Sequence, residues 1–434
     1  MQRAPRGKLL NLLRLSSDFC AHNAEVEGSS PSLTTKYTAI INHLRNRLFR
    51  ALDYGITPNC LNTYPTQCNL VGYDAGARIP QSIILWDMIV LTTPHERALT
   101  LLFSELERSA SEQLEVLLGT PGTLTERTNE TGTRFWVHRY SDALNRRQEM
   151  YLGKVDSPEI ERHISMMREM IATANATIAR VRLLARAGFA TIDRKAYFTL
   201  ASLHNRGLFR AGALLVGSHA YGALLNALGV RATPFATEDV DIARREALAL
   251  PGVPGFLDML RATGIEFFEI PSLDRRQRGT SFKERGGSNF RVDLLVPSAD
   301  DNYPTVPVPE LKAHAQGLPH LAYLLAASQE IPVLSSYGSV MVRVPVPERY
   351  AIHKLIVSQL RHKTSSKPEK DLRQAAVLIE ALVERYPGAI EDAASAVPKS
   401  AARHIVRAIK ALEQHLPATS ASAWEVLHSI APTA

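Results

Sequence analysis

The chain has 434 residues, 45% hydrophobic and 21% charged, with a formal net charge of +7. That length calls for more than one structural unit, and the balance excludes a collagen-like chain, wholesale disorder and a disulfide scaffold. The basic excess suits a polyanionic partner such as RNA, DNA or nucleotide phosphates, although basic residues that merely solvate helices give the same sum. The three cysteines, Cys20, Cys60 and Cys68, are odd in number and lack metal-site spacing, which fits a reducing cytoplasm. The longest apolar runs, such as Leu321 to Ala327, are far shorter than the roughly 20 residues a bilayer span needs. Asn11 and Arg14 interrupt the leucine-rich start, so a signal peptide is not expected.

Residues 1–87 show neither sustained helical periodicity nor strand alternation. The run from Ala21 to Leu33, with Gly28-Ser29-Ser30-Pro31 at its centre, resembles conceptual translation through the T-arm of a transfer-RNA gene. The expectation is an overextended start, or a disordered extension, with the working protein opening near Met88.

Apolar residues recur at helical spacing from Thr92 to Leu118, including Leu99, Leu102, Phe103, Leu106 and Leu114, until Gly119, Pro121 and Gly122 stop the pattern. Arg134 to Tyr140 and Arg147 to Gly153 then read as the strands of an aromatic hairpin. Its Arg134, Arg139, Arg146 and Arg147, interleaved with Trp136, Tyr140 and Tyr151, are placed to meet nucleic acid, but a structural ribbon packing its aromatics on a helix is the better expectation. A long helix is predicted over Ser157 to Ala187 and another over Asp193 to Phe209, leading into an apolar strand over Gly212 to Val216.

Gly217-Ser218 follows that strand and opens a helix over His219 to Leu225. Glycine there permits close backbone approach, and Ser218 with the free amides of the helix start can bind a phosphate oxygen. Further on, Asp239-Val240-Asp241-Ile242 alternates, so a strand puts both carboxylates on one face and both aliphatics on the other. Adjacent like charges call for a cation, and oxygen-only ligands favour magnesium or manganese over zinc. A second apolar strand over Asn289 to Val296 carries Asp293 opposite Val292 and Leu294 and can complete the set. Helices are expected from Val346 onward, including Asp371 to Tyr386 and Ala401 to Leu416.

The order of apolar strand, Gly-Ser, Asp-apolar-Asp and third Asp resembles the polymerase-beta-type nucleotidyltransferase superfamily. The runs Val346 to Leu355 and Lys367 to Gln374 resemble the bacterial branch related to AbiE-type toxin nucleotidyltransferases. Residues 231–236 look inserted relative to compact members.

The resemblance implies that Asp239, Asp241 and Asp293 are metal ligands and catalytic carboxylates, with Asp293 placed to take the acceptor proton. Gly217, Ser218, Lys354, Arg361 and Asp371 would serve the nucleotide, with Mg2+ or Mn2+ as cofactor and a nucleoside triphosphate as substrate. Asp371 is equally well placed to meet its helix dipole after Pro368. His219 and His353 are expected to be packing residues. The 3′ end of a transfer RNA is a candidate acceptor, an antibiotic-type small molecule is the alternative, and an antitoxin is a candidate partner. A non-catalytic nucleic-acid-binding module of the same fold is the competing class. The expected architecture is α+β or α/β: a basic hairpin and helices over 88–210, a catalytic core with a small mixed sheet over 211–345, and a helical C-terminal domain over 346–434.

Overall fold

The computed structural model describes residues 91–434, apart from positions 156, 234, 236, 251, 253, 273–276, 300–301, 362–365, 418–419 and 432–434. The expected extension at 1–87, with all three cysteines, lies outside the described residues. The fold is mixed α/β, as its sequence periodicities imply.

A short strand, β1 (Thr93–Pro94), precedes helix α1 (Arg97–Ser111). The helix ends sooner than the apolar spacing suggests: Leu114 falls beyond it and is 69% exposed. Then come β2 (Thr123–Thr128), β3 (Arg134–Ser141) and β4 (Arg147–Lys154), which form a three-stranded antiparallel ribbon rather than a two-stranded hairpin. Strand β2 was missed because its alternation is of Thr, Glu and Arg, with little apolar signal.

Four of the ribbon's arginines face carboxylates within it. Arg139 pairs with Glu149 at 2.5 Å, Arg127 with the same Glu149 at 2.8 Å, Arg146 with Asp142 at 2.8 Å, and Arg134 with Glu126. Its Trp136 donates to Glu161 and lies under Arg168, both on helix α2 (Pro158–Arg186), and Gly153 leaves room for Ile160 of the same helix. The ribbon is therefore built to pack on α2, in line with the structural expectation.

Pro158 at the first turn, Glu159 and Glu161 beside it, and Arg186 in the last turn suit the polarity of α2. Asp193 accepts from the Ala196 amide and caps α3 (Arg194–Asn205), which stops short of Phe209.

The main sheet is assembled from β5 (Leu214–Val216), β7 (Asp239–Ala243), β8 (Phe267–Glu269), β9 (Ser281–Glu284), β10 (Arg291–Ser298), β11 (Thr305–Val308) and β12 (Ala313–Pro319). Its order is β11-β12-β10-β7-β5, with β9 also on β10 and β8 on β9. Strand β10 is central: Val292, Leu294 and Val296 are buried on one face, each contributing about 1.5–3 kcal/mol of apolar burial, while Arg291, Asp293 and Leu295 point to the other. Helix α4 (Gly217–Ala227) follows β5, and β6 (Val230–Arg231) pairs with β1. Helices α5 (Phe256–Arg261) and α6 (Leu321–Leu324) are short.

A second hairpin, β13 (Ser328–Ser335) and β14 (Gly338–Pro345), was also unforeseen. β14 is buried on nearly every residue and β13 from Ile331 to Ser335, so period-2 alternation is lost there. Helices α7 (Pro347–Leu360), α8 (Lys367–Arg385), α9 (Ala389–Ser395), α10 (Lys399–Leu412) and α11 (Ala421–Ile430) complete the chain. One continuous apolar core runs from Phe103 on α1 through Val292 on β10 to Leu427 on α11, so positions 210 and 345 do not mark breaks in packing.

Candidate active site

Register brings the acidic residues together. Strand β7 lies parallel to β10 with Asp241 opposite Asp293 and Asp239 opposite Arg291, and β5 lies antiparallel to β7 with Val216 opposite Asp241. On the far side of β10, Ser281 is opposite Asp293 and Lys283 opposite Arg291. One row across the sheet thus reads Val216, Asp241, Asp293, Ser281, and the row beside it reads Asp239, Arg291, Lys283.

The turn after β5 is shaped by this crowding. Gly217 has φ +68°, and a Cβ there would stand 2.0 Å from Asp241 Oδ2. Glycine is required twice over, by conformation and by space. Gly217 is the first residue of α4 rather than part of a separate turn, and Ser218, partly exposed, is the second. The buried Tyr350 on α7 donates its hydroxyl to the Gly217 carbonyl at 2.8 Å, holding the turn from behind. Burial, with the charges of Asp371 and Asp241, pushes that phenol well above its ordinary pKa, so it remains a donor.

Asp241 bears the electrostatic cost of the site. Burial first, and the neighbouring Asp293 second, push its carboxyl up to about 6 from 3.8, with Lys354 and Arg291 opposing. Arg291 partly neutralises the group: its Nη2 donates to Asp239 Oδ2 at 3.0 Å, and its Nε lies 3.4 Å from Asp293 Oδ2. The other oxygen of Asp293, Oδ1, is buried without a hydrogen-bond partner.

An oxygen-only donor set, an orphaned carboxylate oxygen and a carboxyl strained by like charge fit a hard divalent cation. Among the described residues no group of three His, Cys, Asp or Glu side chains is gathered closely enough to hold a metal ion. Between these carboxylates stands Arg291, whose guanidinium reaches both Asp239 and Asp293.

The later motif residues form a second constellation. Lys354 Nζ donates to Asp371 Oδ1 at 2.7 Å, and Arg361 Nε reaches Asp371 Oδ2 at 2.6 Å. Lys354 and Asp371 are both buried, which rules out an ordinary exposed lysine. Asp371 sits between two cations, so neutralising them, rather than meeting the helix dipole, accounts for it. Arg361 lies just past the end of α7, not on the helix face shared with Lys354, yet its side chain returns to the same carboxylate.

Lys370, one residue before Asp371, lies over the Phe235 ring at 5.7 Å. Its pKa is lowered by burial and by Lys354, against the pull of Asp371, Asp241 and Asp239, which places its amine in the field of these carboxylates. Burial pushes His219 down to about 4 and, with the charge of Lys354, His353 down to about 3, so both are neutral near pH 7.

Arg291, Lys283, Tyr350 and Lys370 were not singled out from sequence. The parity that places Asp293 opposite Val292 also places Arg291 beside Asp293, so Arg291 was open to inference. Lys283 required knowledge that β9 pairs with β10, and Tyr350 that α7 backs the glycine turn.

Residues 197–398, just under half of the chain, match the protein-family model described as Nucleotidyltransferase. The match contains every candidate site residue and excludes the ribbon and α2. No curated protein and no solved structure matches the chain.

Proposed function

We propose that this chain, whose residues 197–398 match a family model described as Nucleotidyltransferase, transfers a nucleoside monophosphate from a nucleoside triphosphate to a hydroxyl, releasing pyrophosphate, with Mg2+ or Mn2+ as cofactor. The observation that carries this reading is the pairing of Asp241 with Asp293 across adjacent parallel strands, on the face that also presents Asp239, beside a glycine turn that Asp241 closely approaches. Asp239, Asp241 and Asp293 would hold the cation, which supplies neutralisation of the triphosphate and activation of the attacking hydroxyl.

The chain's own groups do the rest. Backbone amides at the start of α4 and the Ser218 hydroxyl bind phosphate oxygens, a role that helix N-termini suit by geometry and dipole. Asp293 Oδ1, buried and without a partner, is available to accept the proton of the acceptor hydroxyl. Arg291, which donates to Asp239 and lies beside Asp293, would be available to pair with phosphate if a cation neutralised those carboxylates. Lys354 and Arg361 act through Asp371, as fixed positive charge behind the site, while Lys370 is the lysine placed to meet the triphosphate directly.

For the acceptor, the resemblance of the later motifs to AbiE-type proteins and the net charge of +7 favour an RNA 3′ end, that of transfer RNA first. The pairing of the ribbon's arginines with Glu126, Asp142 and Glu149 removes the ribbon as its main support. The test is incubation of the full chain with each labelled triphosphate, Mg2+ and total RNA, followed by location of the label. Label on RNA, lost in Asp293→Ala and falling steeply with ionic strength, is the expected result. No transfer to RNA or to any small hydroxyl compound by a protein that binds triphosphate would refute the catalytic reading.

A further inference from the structure

Along one side of α4 runs a cavity of about 610 Å3, between that helix, the segment 188–193 and the β13 strand. This is the size range of small-ligand sites. Its walls are mostly apolar and aromatic, with Phe189, Tyr221, Leu225 and Phe235 among them, and Asp193 and Arg231 also line it. At one end it is bounded by Ser218, His219 and Thr237, that is, by the phosphate turn and a residue two positions before Asp239. Phe235 also carries Lys370 over its ring, so this end opens where a triphosphate would lie.

Two polar side chains in the wall have nothing to bind. Tyr221, 1% exposed, has a hydroxyl without a hydrogen-bond partner, and His219, 6% exposed, has an Nε2 without one. Buried polar groups of native proteins are almost always satisfied, and exceptions call for an explanation. Both groups are uncharged near neutral pH, since burial holds the imidazole down at about 4 and the phenol far up. They suit a neutral guest with hydrogen-bonding edges and flat apolar faces, and not an anion. A cation and helix amides at the mouth with a mostly apolar, aromatic wall, in which Asp193 and Arg231 set one charge of each sign, together describe a nucleotide with its phosphates outermost.

We propose that this cavity is a nucleobase site, in which the base lies between the aromatic and aliphatic walls and takes hydrogen bonds from Tyr221 and His219. The proposal rests on the nucleotidyl-transfer reading for the position of the phosphates. The base belongs either to the donor triphosphate or to the terminal nucleotide of an RNA acceptor.

The deciding variant is Tyr221→Phe, which deletes a hydroxyl that holds no other contact and so leaves the fold as stable as wild type. The full chain is titrated calorimetrically with the four ribonucleoside triphosphates, with inorganic tripolyphosphate and with a single-stranded RNA decamer, in the presence of Mg2+. The expected result is about a tenfold loss of affinity for at least one triphosphate, the effect of one neutral hydrogen bond, with tripolyphosphate unaffected. A loss confined to the decamer assigns the site to the acceptor's base instead. Leu225→Trp, which fills the cavity, should weaken the same ligand further. Unchanged binding of all four triphosphates and of the decamer by Tyr221→Phe overturns the proposal. Binding that depends on Tyr221 without any transfer activity would instead sink the catalytic reading and leave the pocket standing.

Discussion

Replacing Asp241 with Asn should make the protein more stable while abolishing its activity. The Asp241 carboxyl is raised from 3.8 to about 6, by burial first and by Asp293 next. A group whose folded pKa exceeds its unfolded value favours the native state below the unfolded pKa, and that advantage is lost as pH rises through the folded one. A shift of about two units corresponds to roughly 3 kcal/mol of native-state destabilisation at pH 8, and to almost none at pH 4, where the carboxyl is largely protonated in the folded protein. Asparagine keeps the shape without the charge. In urea unfolding with EDTA present, Asp241→Asn should therefore gain about 2–3 kcal/mol over wild type at pH 8, and a few tenths at pH 4. Adding Mg2+ should raise the stability of wild type and leave the variant nearly unchanged, since only the former keeps its ligand set. A variant no more stable than wild type at pH 8, or equally stabilised at both pH values, would refute the claim that like-charge crowding defines this site.

Gly217→Ala introduces a Cβ 2.0 Å from Asp241 Oδ2 at a backbone with φ +68°; a loss of about 1–3 kcal/mol and of triphosphate binding is expected, measured by thermal unfolding and calorimetry. Asp371→Ala should cost about 3–5 kcal/mol because it leaves Lys354 buried without its partner, whereas the double variant Lys354→Met, Asp371→Leu should recover most of the stability but not the activity. Arg291→Gln frees Asp239 and Asp293 from their ion pairs, so Mn2+ titration should show tighter binding than in wild type even as turnover falls.

Much of the site was legible because strand chemistry is local. The alternation Asp239, Val240, Asp241, Ile242 and the single carboxylate of Val292-Asp293-Leu294 declare which residues share a face, and both strands form where they were expected. Helices α2 and α8 announced themselves through prolines at their starts and apolar stripes. The strands that escaped notice lacked such a pattern: β2 is mostly polar, and β14 and the second half of β13 are buried on both faces, which erases the alternation.

What the linear chain determined by itself is the chemistry on offer: two carboxylates one residue apart, a third on an apolar strand, and a glycine before a helix. These follow from side-chain type and a period of two, and neither needs a distant neighbour. Only the tertiary structure decided that Asp241 faces Asp293, that Arg291 grips Asp239 and Asp293, that Lys354 answers to Asp371, and that Tyr221 lines a cavity with its hydroxyl unpaired. Strand register and helix docking set those contacts, and both are settled by burying apolar surface across the whole core, a sum over residues far apart in the chain.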